Sequence, residues 1–546
     1  MISEGNRTYP VPAIPWRVYG VLFFLLAAVY GTFVQDVGPN QLSRLNLTLA
    51  LAHEGRLEID TYTGNSIDRA YYNGHYYSDK APLISFLAYP VYQALRVLQG
   101  LDGVNLDTRL MLMYLVWVIN SAVNVPLSAL LILLFLHVGR TLRPNSVMPW
   151  FVAAVLAFGT LLFPYATLLF GHNIATLLGF APLAVALYVR LGALGERWLF
   201  LAGLLAGLGV VAEYPNGLFA LALVAYVGFT WRRWRPLLWV VAGGIGPALG
   251  LGLYNTLAFD HPLRFSYMFH AAPWGAAHRQ GLLGVQWPQW EKLVLLLFSP
   301  RGLFFLSPVL LLSPFGYWAM YKARAWRDFF WLCFILPLVL LILNAGYFYT
   351  LGGAAPGPRF LVPVLPYLAL PLVFLSERWL FALVPLGLLS VLIQGIIVVT
   401  DPMVGRFTNP LVEYWGPMLV MGDMRVGLIL RQRYGIPFRL GMLLIVMCVL
   451  LWPILGLWGH RGGDRRRGLL NGMLVGAFLF YLMAAFPVDI RSPRQVPALY
   501  LRPSPPVRDD PPPGWTPPSQ PEGQETSHRK TAYHRCSNSA PTEMPT

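Results

Sequence analysis

The segment from Asp36 to Pro82 collects residue types that do chemistry. It carries Asp36, Glu58, Asp60, Asp68 and Asp79 together with Arg44, His75 and Lys80, and Tyr62, Tyr76 and Tyr77 are interleaved among them. A carboxylate can take the proton of an attacking hydroxyl, and a lysine or arginine can hold a phosphate. Asp60 and Asp68, with Asp36 at the head of the segment, are the candidates for such a base. Lys80, Asp79 and Arg44 are the candidates for binding a substrate. The plainer reading is a solvated loop whose charges only keep it in water. The density of aromatics and the apolar runs on either side weigh against it.

Other segments repeat the theme. Phe163-Pro164-Tyr165 leads to His172 at the start of an apolar run. Glu213-Tyr214-Pro215 places a carboxylate between two short apolar runs, where a charge needs a partner, a function or interfacial water. Ser299-Pro300-Arg301-Gly302-Leu303 and Gly357-Pro358-Arg359-Phe360 each set one arginine at an apolar boundary. Such an arginine clamps a phosphate two-pronged, pairs with a carboxylate, or snorkels to lipid headgroups. Gly352-Gly353 marks either a close backbone approach or a tight turn. His75, His172, His270 and His278 join Asp79 as conceivable metal ligands, yet their spacing matches no compact metal motif. A divalent metal is therefore an open alternative, and no cofactor follows from the sequence. No phosphate-binding loop of the ATP-hydrolysing kind stands in a suitable context.

The elements that must position these residues are membrane spans. The 546-residue chain is 56% hydrophobic and 12% charged, where soluble proteins carry about 25% charged residues. The net charge of +15 sits in short clusters between apolar runs rather than in one stripe, which excludes a nucleic-acid partner and fits a lipid bilayer. Thirteen runs approach the roughly 20 residues that a crossing needs: 16–35, 111–136, 147–163, 174–190, 198–213, 216–231, 236–257, 302–320, 329–348, 361–376, 379–400, 440–459 and 469–487. The first is read as a retained span, not a cleaved signal. Basic clusters fall on every second connection: Arg140 with Arg143, Arg190 with Arg197, Arg232 to Arg235, Lys322 to Arg327, Arg378, and Arg461 to Arg467. That alternation predicts a cytoplasmic N-terminus and an outside C-terminus. It leaves three long outer connections, 36–110, 258–301 and 401–439. Within the first, Asn40 to Leu51 reads as an amphipathic helix lying on the membrane surface, and 83–100 as a second surface helix or a further span. The expected fold class is an all-α polytopic membrane protein. One membrane domain, 1–487, precedes a proline-rich tail, 488–546, that is too polar to bury a core and reads as disordered. Cys333, Cys448 and Cys536 form no motif.

With those residues in place, the chain resembles the GT-C membrane glycosyltransferases of the protein O-mannosyltransferase and lipid A aminoarabinose transferase type. The resemblance covers roughly residues 16–487. It rests on the large first outer loop with an early Arg44 and a late Tyr77-Ser78-Asp79-Lys80-Ala81-Pro82, and on the Ser-Pro-Arg-Gly-Leu and Gly-Pro-Arg-Phe-Leu-Val-Pro-Val-Leu-Pro runs. It implies a bacterial inner-membrane enzyme that moves a sugar from a polyprenyl-phosphate carrier to a glycan, lipid or protein acceptor on the outer face. It further implies Lys80 as the group meeting the carrier phosphate, an outer-loop Asp as base, and loss of transfer in a Lys80→Ala chain that still inserts and folds. The chain departs from the pattern at Asn40-Gln41, where those two types have an acidic pair. A flippase of lipid-linked sugar is the first rival. The single asymmetric outer loop speaks against it, since such transporters are usually built from paired repeats. A non-catalytic envelope-assembly scaffold is the second.

Overall fold

The computed structural model describes residues 15–421, apart from 103–105, 107, 272–273, 279, 282–283 and 406–408. The regular structure of the described part is helical apart from one two-stranded hairpin and isolated bridges. Five segments are long and apolar enough to cross a membrane: Arg109–Leu142, His172–Arg190, Trp234–Phe259, Arg324–Gly346 and Glu377–Val399. A sixth arises if the bent pair Trp290–Leu306 and Pro308–Lys322, which turns through 107°, counts as one span. The chain is an integral membrane protein. Its helices up to the second outer connection are labelled α1 (Trp16–Thr32), α2 (Pro39–His53), α3 (Leu83–Gln99), α4 (Arg109–Ala122), α5 (Asn124–Leu142), α6 (Met148–Phe158), α7 (Leu162–Ala166), α8 (His172–Arg190), α9 (Leu199–Ala212), α10 (Gly217–Trp231) and α11 (Trp234–Phe259).

The thirteen-span count is not reached among the described residues, for identifiable reasons. The run 302–320 is broken at Ser307-Pro308, since proline removes a helical donor and clashes with the preceding turn. The run 361–376 becomes a chain of short turns that carries Pro363, Pro366 and Pro371. The run 147–163 divides between α6 and α7. Runs 198–213 and 216–231 form α9 and α10, which are joined by a tight turn over Tyr214–Asn216. The runs 440–459 and 469–487, the end of the 401–439 connection and the tail 488–546 lie outside the described residues.

Helix α8 fixes which residues share an end of the bundle. Its last residue, Arg190, pairs with Asp328 at 2.6 Å and donates to the Ala325 carbonyl. Arg143 likewise donates to the Phe374 carbonyl at 3.0 Å. Three of the basic clusters therefore meet elements at one end. The other end of α8 is His172, about 28 Å away at the rise of an α-helix.

The first outer loop builds the floor of that second end. Helix α2 is enclosed by protein on nearly all sides rather than resting on the membrane surface: Asn40, Gln41, Ser43, Arg44, Asn46 and Thr48 are all buried. Burial is tolerated because these groups find partners, as buried polar groups must. Gln41 accepts from the Leu169 N–H, Asn46 donates to the Tyr62 carbonyl, and Ser85 donates to the Arg44 carbonyl. Helix α3 is amphipathic. It buries Ile84, Ala88, Tyr92 and Leu95 and leaves Phe86, Leu87, Val97 and Leu98 exposed. Between the two helices stands a hairpin, β1 (Arg69–Tyr72) and β2 (His75–Ser78), turned at Asn73-Gly74 with φ of +48° and +88°. Two central residues of positive φ match the right-handed twist of the strands.

Candidate functional site

The hairpin register brings the carboxylates together. Arg69 faces Ser78, so Asp68 and Asp79 leave the paired strands side by side, with Lys80 next in line. The Lys80 ammonium lies 2.6 Å from Asp79 Oδ2 and 2.8 Å from Asp68 Oδ2. Ser43 of α2 donates to Asp79 Oδ1 at 2.8 Å. A bridge from Ala70 to His270 adds the second outer connection to the hairpin and sets His270 Nε2 3.2 Å from Asp79 Oδ2. Burial alone would raise the Asp79 carboxyl, but Lys80 and His270 outweigh it and hold the group well below the usual carboxylate range. Burial likewise works against the Lys80 ammonium, and the two carboxylates raise it above its ordinary value.

Asp68, Asp79 and His270 offer three ligand atoms within 4.8 Å of one another. The Lys80 ammonium, however, already stands against both carboxylates. That donor set is neutralised by the chain's own cation and does not fit a divalent metal without displacing Lys80. Of the other histidines, His75 pairs with Asp60 at 2.7 Å on the exposed side of the loop, and His278 stacks on Tyr267 and His270.

A second ion pair lies beside the first. Arg44 donates from Nη2 to Glu213 Oε1 at 2.6 Å, with both residues buried, and its Nε faces Asn40 at 3.3 Å. The Glu213 carboxylate rests against Gly171: a Cβ added there would meet Oε1 at 2.2 Å and Ile84 Cδ1 at 2.9 Å. Gly171→Ala is therefore expected to push the Arg44–Glu213 pair apart and to cost about 1–3 kcal/mol, the usual penalty of overpacking. Thermal unfolding of the purified full chain measures this, and an unchanged midpoint contradicts the packing described.

Arg359 differs from every other charge in the cluster. Among the described residues it makes no hydrogen bond or ion pair, and its Nε is buried without a partner. Its guanidinium lies over the Phe360 ring at 4.9 Å and near Phe170 at 6.0 Å. Gly352 backs it, since a Cβ there would stand 2.6 Å from Nε. The Gly352-Gly353 pair thus serves a close approach, and both residues have positive φ. Lys80 and His172 lie within electrostatic reach of Arg359.

The residues singled out in the sequence separate accordingly. Arg44, Lys80, Asp68, Asp79, His172, Glu213 and Arg359 converge. Arg301 does not join them, because its guanidinium donates to the carbonyls of Gly405, Gly353 and Ala355 and ties two outer segments together. Asp36 is taken by Arg109 at the start of α4. Asp60 is held by His75 and the Tyr76 N–H away from Lys80. Ser43 and Tyr267 are additions. Tyr267 lies near Glu213, Tyr347 and Asp79, and burial raises its phenol. Neither stands in a motif, so only the chain path reveals them.

No family model matches the chain, and no curated protein matches it. Among solved structures, ArnT from Cupriavidus metallidurans in the apo state is similar at 15% sequence identity. It has a TM-score of 0.45 and covers 87% of this chain and 77% of that chain.

Proposed function

We propose that the protein is a membrane glycosyltransferase that moves a sugar from a polyprenyl-phosphate donor to an acceptor on the outer face of the membrane. One observation carries the reading. Arg359 presents a half-buried guanidinium, with a buried and unpartnered Nε, beside a second cation, Lys80, at the end of the bundle opposite the basic connections. A guanidinium left without a carboxylate in such a place suits a phosphate, which it grips two-pronged. Lys80 already holds two carboxylates, so Arg359 is the cation a carrier phosphate meets first. The reaction is a displacement at the anomeric carbon, in which the phosphate leaves as an anion and cation placement lowers the barrier. The motif resemblance noted in the sequence supports the same chemistry, and the alternating basic clusters support the outer-face assignment.

Reconstitution of the full chain in liposomes with radiolabelled undecaprenyl-phosphate monosaccharides, and with a bacterial envelope extract as the source of acceptor, tests this. Transfer releases free undecaprenyl phosphate. Donor that crosses the bilayer unchanged identifies a flippase, and donor that neither moves nor reacts identifies a scaffold. Either result overturns the proposal.

A further inference from the structure

We infer that His172 takes the proton of the acceptor hydroxyl, in place of a first-loop carboxylate. The inference rests on the glycosyl-transfer reading above. His172 is the first residue of α8 and is 4% exposed. Its Nε2 is buried and has no hydrogen-bond partner among the described residues. The ring is fixed by aromatic neighbours: the Tyr165 edge at 5.2 Å, a stacked Phe170 at 5.8 Å and the Phe360 edge at 6.1 Å. A ring so oriented, with neither nitrogen hydrogen-bonded among the described residues, is arranged for a partner that the protein itself does not supply.

The carboxylates argue the same way from the other side. Asp36 is held by Arg109, Asp60 by His75, Asp68 and Asp79 by Lys80, and Glu213 by Arg44. Each already neutralises a cation or caps a histidine. His172 instead has Arg359, Arg44 and Lys80 as its charged neighbours, all of them cations. Nothing anionic is bonded to its Nε2, so in the tautomer with hydrogen on Nδ1 that atom offers a lone pair. Phe170 and Phe360 both touch His172 and Arg359, which places the base and the free phosphate-binding cation on shared walls.

The step balances without any further reactant. The acceptor oxygen bonds to the anomeric carbon as the bond from that carbon to the phosphate oxygen breaks. The electron pair leaves with polyprenyl phosphate toward Arg359, and the hydroxyl proton passes to His172 Nε2. An in-line displacement of this kind inverts the configuration at the anomeric carbon.

The test uses the purified full-length protein, wild type and the variants His172→Gln and His172→Ala. Two quantities are measured: binding of undecaprenyl phosphate, and release of undecaprenyl phosphate from radiolabelled undecaprenyl-phosphate monosaccharides across pH with a bacterial envelope extract as the source of acceptor. The groups facing His172 are Arg44 from α2, Lys80 after β2, Tyr165 from α7 and Arg359, with Glu213 against Gly171. None of them is changed in either variant. The expected result is turnover about 10²- to 10⁴-fold lower in His172→Gln, the usual contribution of a positioned base. Binding of undecaprenyl phosphate is expected to be unchanged, and the acid limb of the wild-type profile to be lost. Added imidazole is expected to restore part of the turnover of His172→Ala. Wild-type turnover in His172→Gln overturns the inference alone, as does a parallel loss of binding, which marks a phosphate ligand or a structural residue. Absence of release by the wild type overturns the glycosyl-transfer reading on which it rests.

Discussion

Lys80→Ala is expected to abolish sugar transfer and also to destabilise the protein by about 3–5 kcal/mol, the range found when one partner of a buried ion pair is removed. The first effect follows from the role proposed for Lys80 at the donor phosphate. The second follows from geometry that motif reading does not reveal. Lys80 is clamped between Asp68 and Asp79, and Asp79 is 1% exposed. Removing the ammonium leaves two carboxylates facing each other out of water, so a loss of stability is expected beside the loss of transfer. The two effects separate in a triple variant, Lys80→Met with Asp68→Asn and Asp79→Asn. That protein is expected to regain most of the lost stability and none of the transfer. Thermal unfolding in detergent alongside donor turnover measures both. An unchanged melting midpoint in Lys80→Ala contradicts the clamp, and undiminished turnover contradicts the role at the phosphate.

The second large effect is at Arg359. Arg359→Ala is expected to lower turnover about 10²- to 10³-fold, as removal of one donor to a developing oxyanion does. Unlike Lys80, it should leave stability nearly unchanged, because among the described residues no ion pair or hydrogen bond is lost with it. Arg359→Lys is expected to recover only a part. An ammonium lacks the planar fork and does not stack on Phe360 as a guanidinium does. Turnover and apparent donor affinity of the three proteins check this. A lysine that restores full turnover contradicts two-pronged binding.

How much of this was legible in the sequence differs by element. The membrane character and the grouping of basic clusters follow from composition and charge spacing, and the contacts of Arg190 and Arg143 agree with that grouping. Span continuity was legible only in part. Prolines such as Pro308 and Pro363 break runs whose hydropathy alone reads as unbroken. Helix α2 shows why amphipathic periodicity misleads. Its polar face looks like a face for water, yet Gln41, Arg44 and Asn46 turn inward to partners supplied by distant segments. The hairpin did leave a signal, Asn73-Gly74 between tyrosines, and its register is what joins Asp68 to Asp79. The Arg44–Glu213 pair spans 169 positions and has no local signature at all. Arg301 and Arg359 are the sharpest case. Both follow a proline at an apolar boundary. One satisfies its donors on three backbone carbonyls, and the other is left without a partner. Residue type and spacing are nearly the same, and only the surrounding chain path separates tether from binding group.

Whether this cluster receives a lipid-linked phosphate is decided by a structure of the full chain with undecaprenyl phosphate bound. Phosphate oxygens are expected within about 2.7–3.2 Å of the Arg359 guanidinium, hydrogen-bonding distance, with the Lys80 ammonium beside them and the prenyl chain running toward the lipid. A phosphate bound elsewhere, with Arg359 still bare over Phe360, would contradict that role.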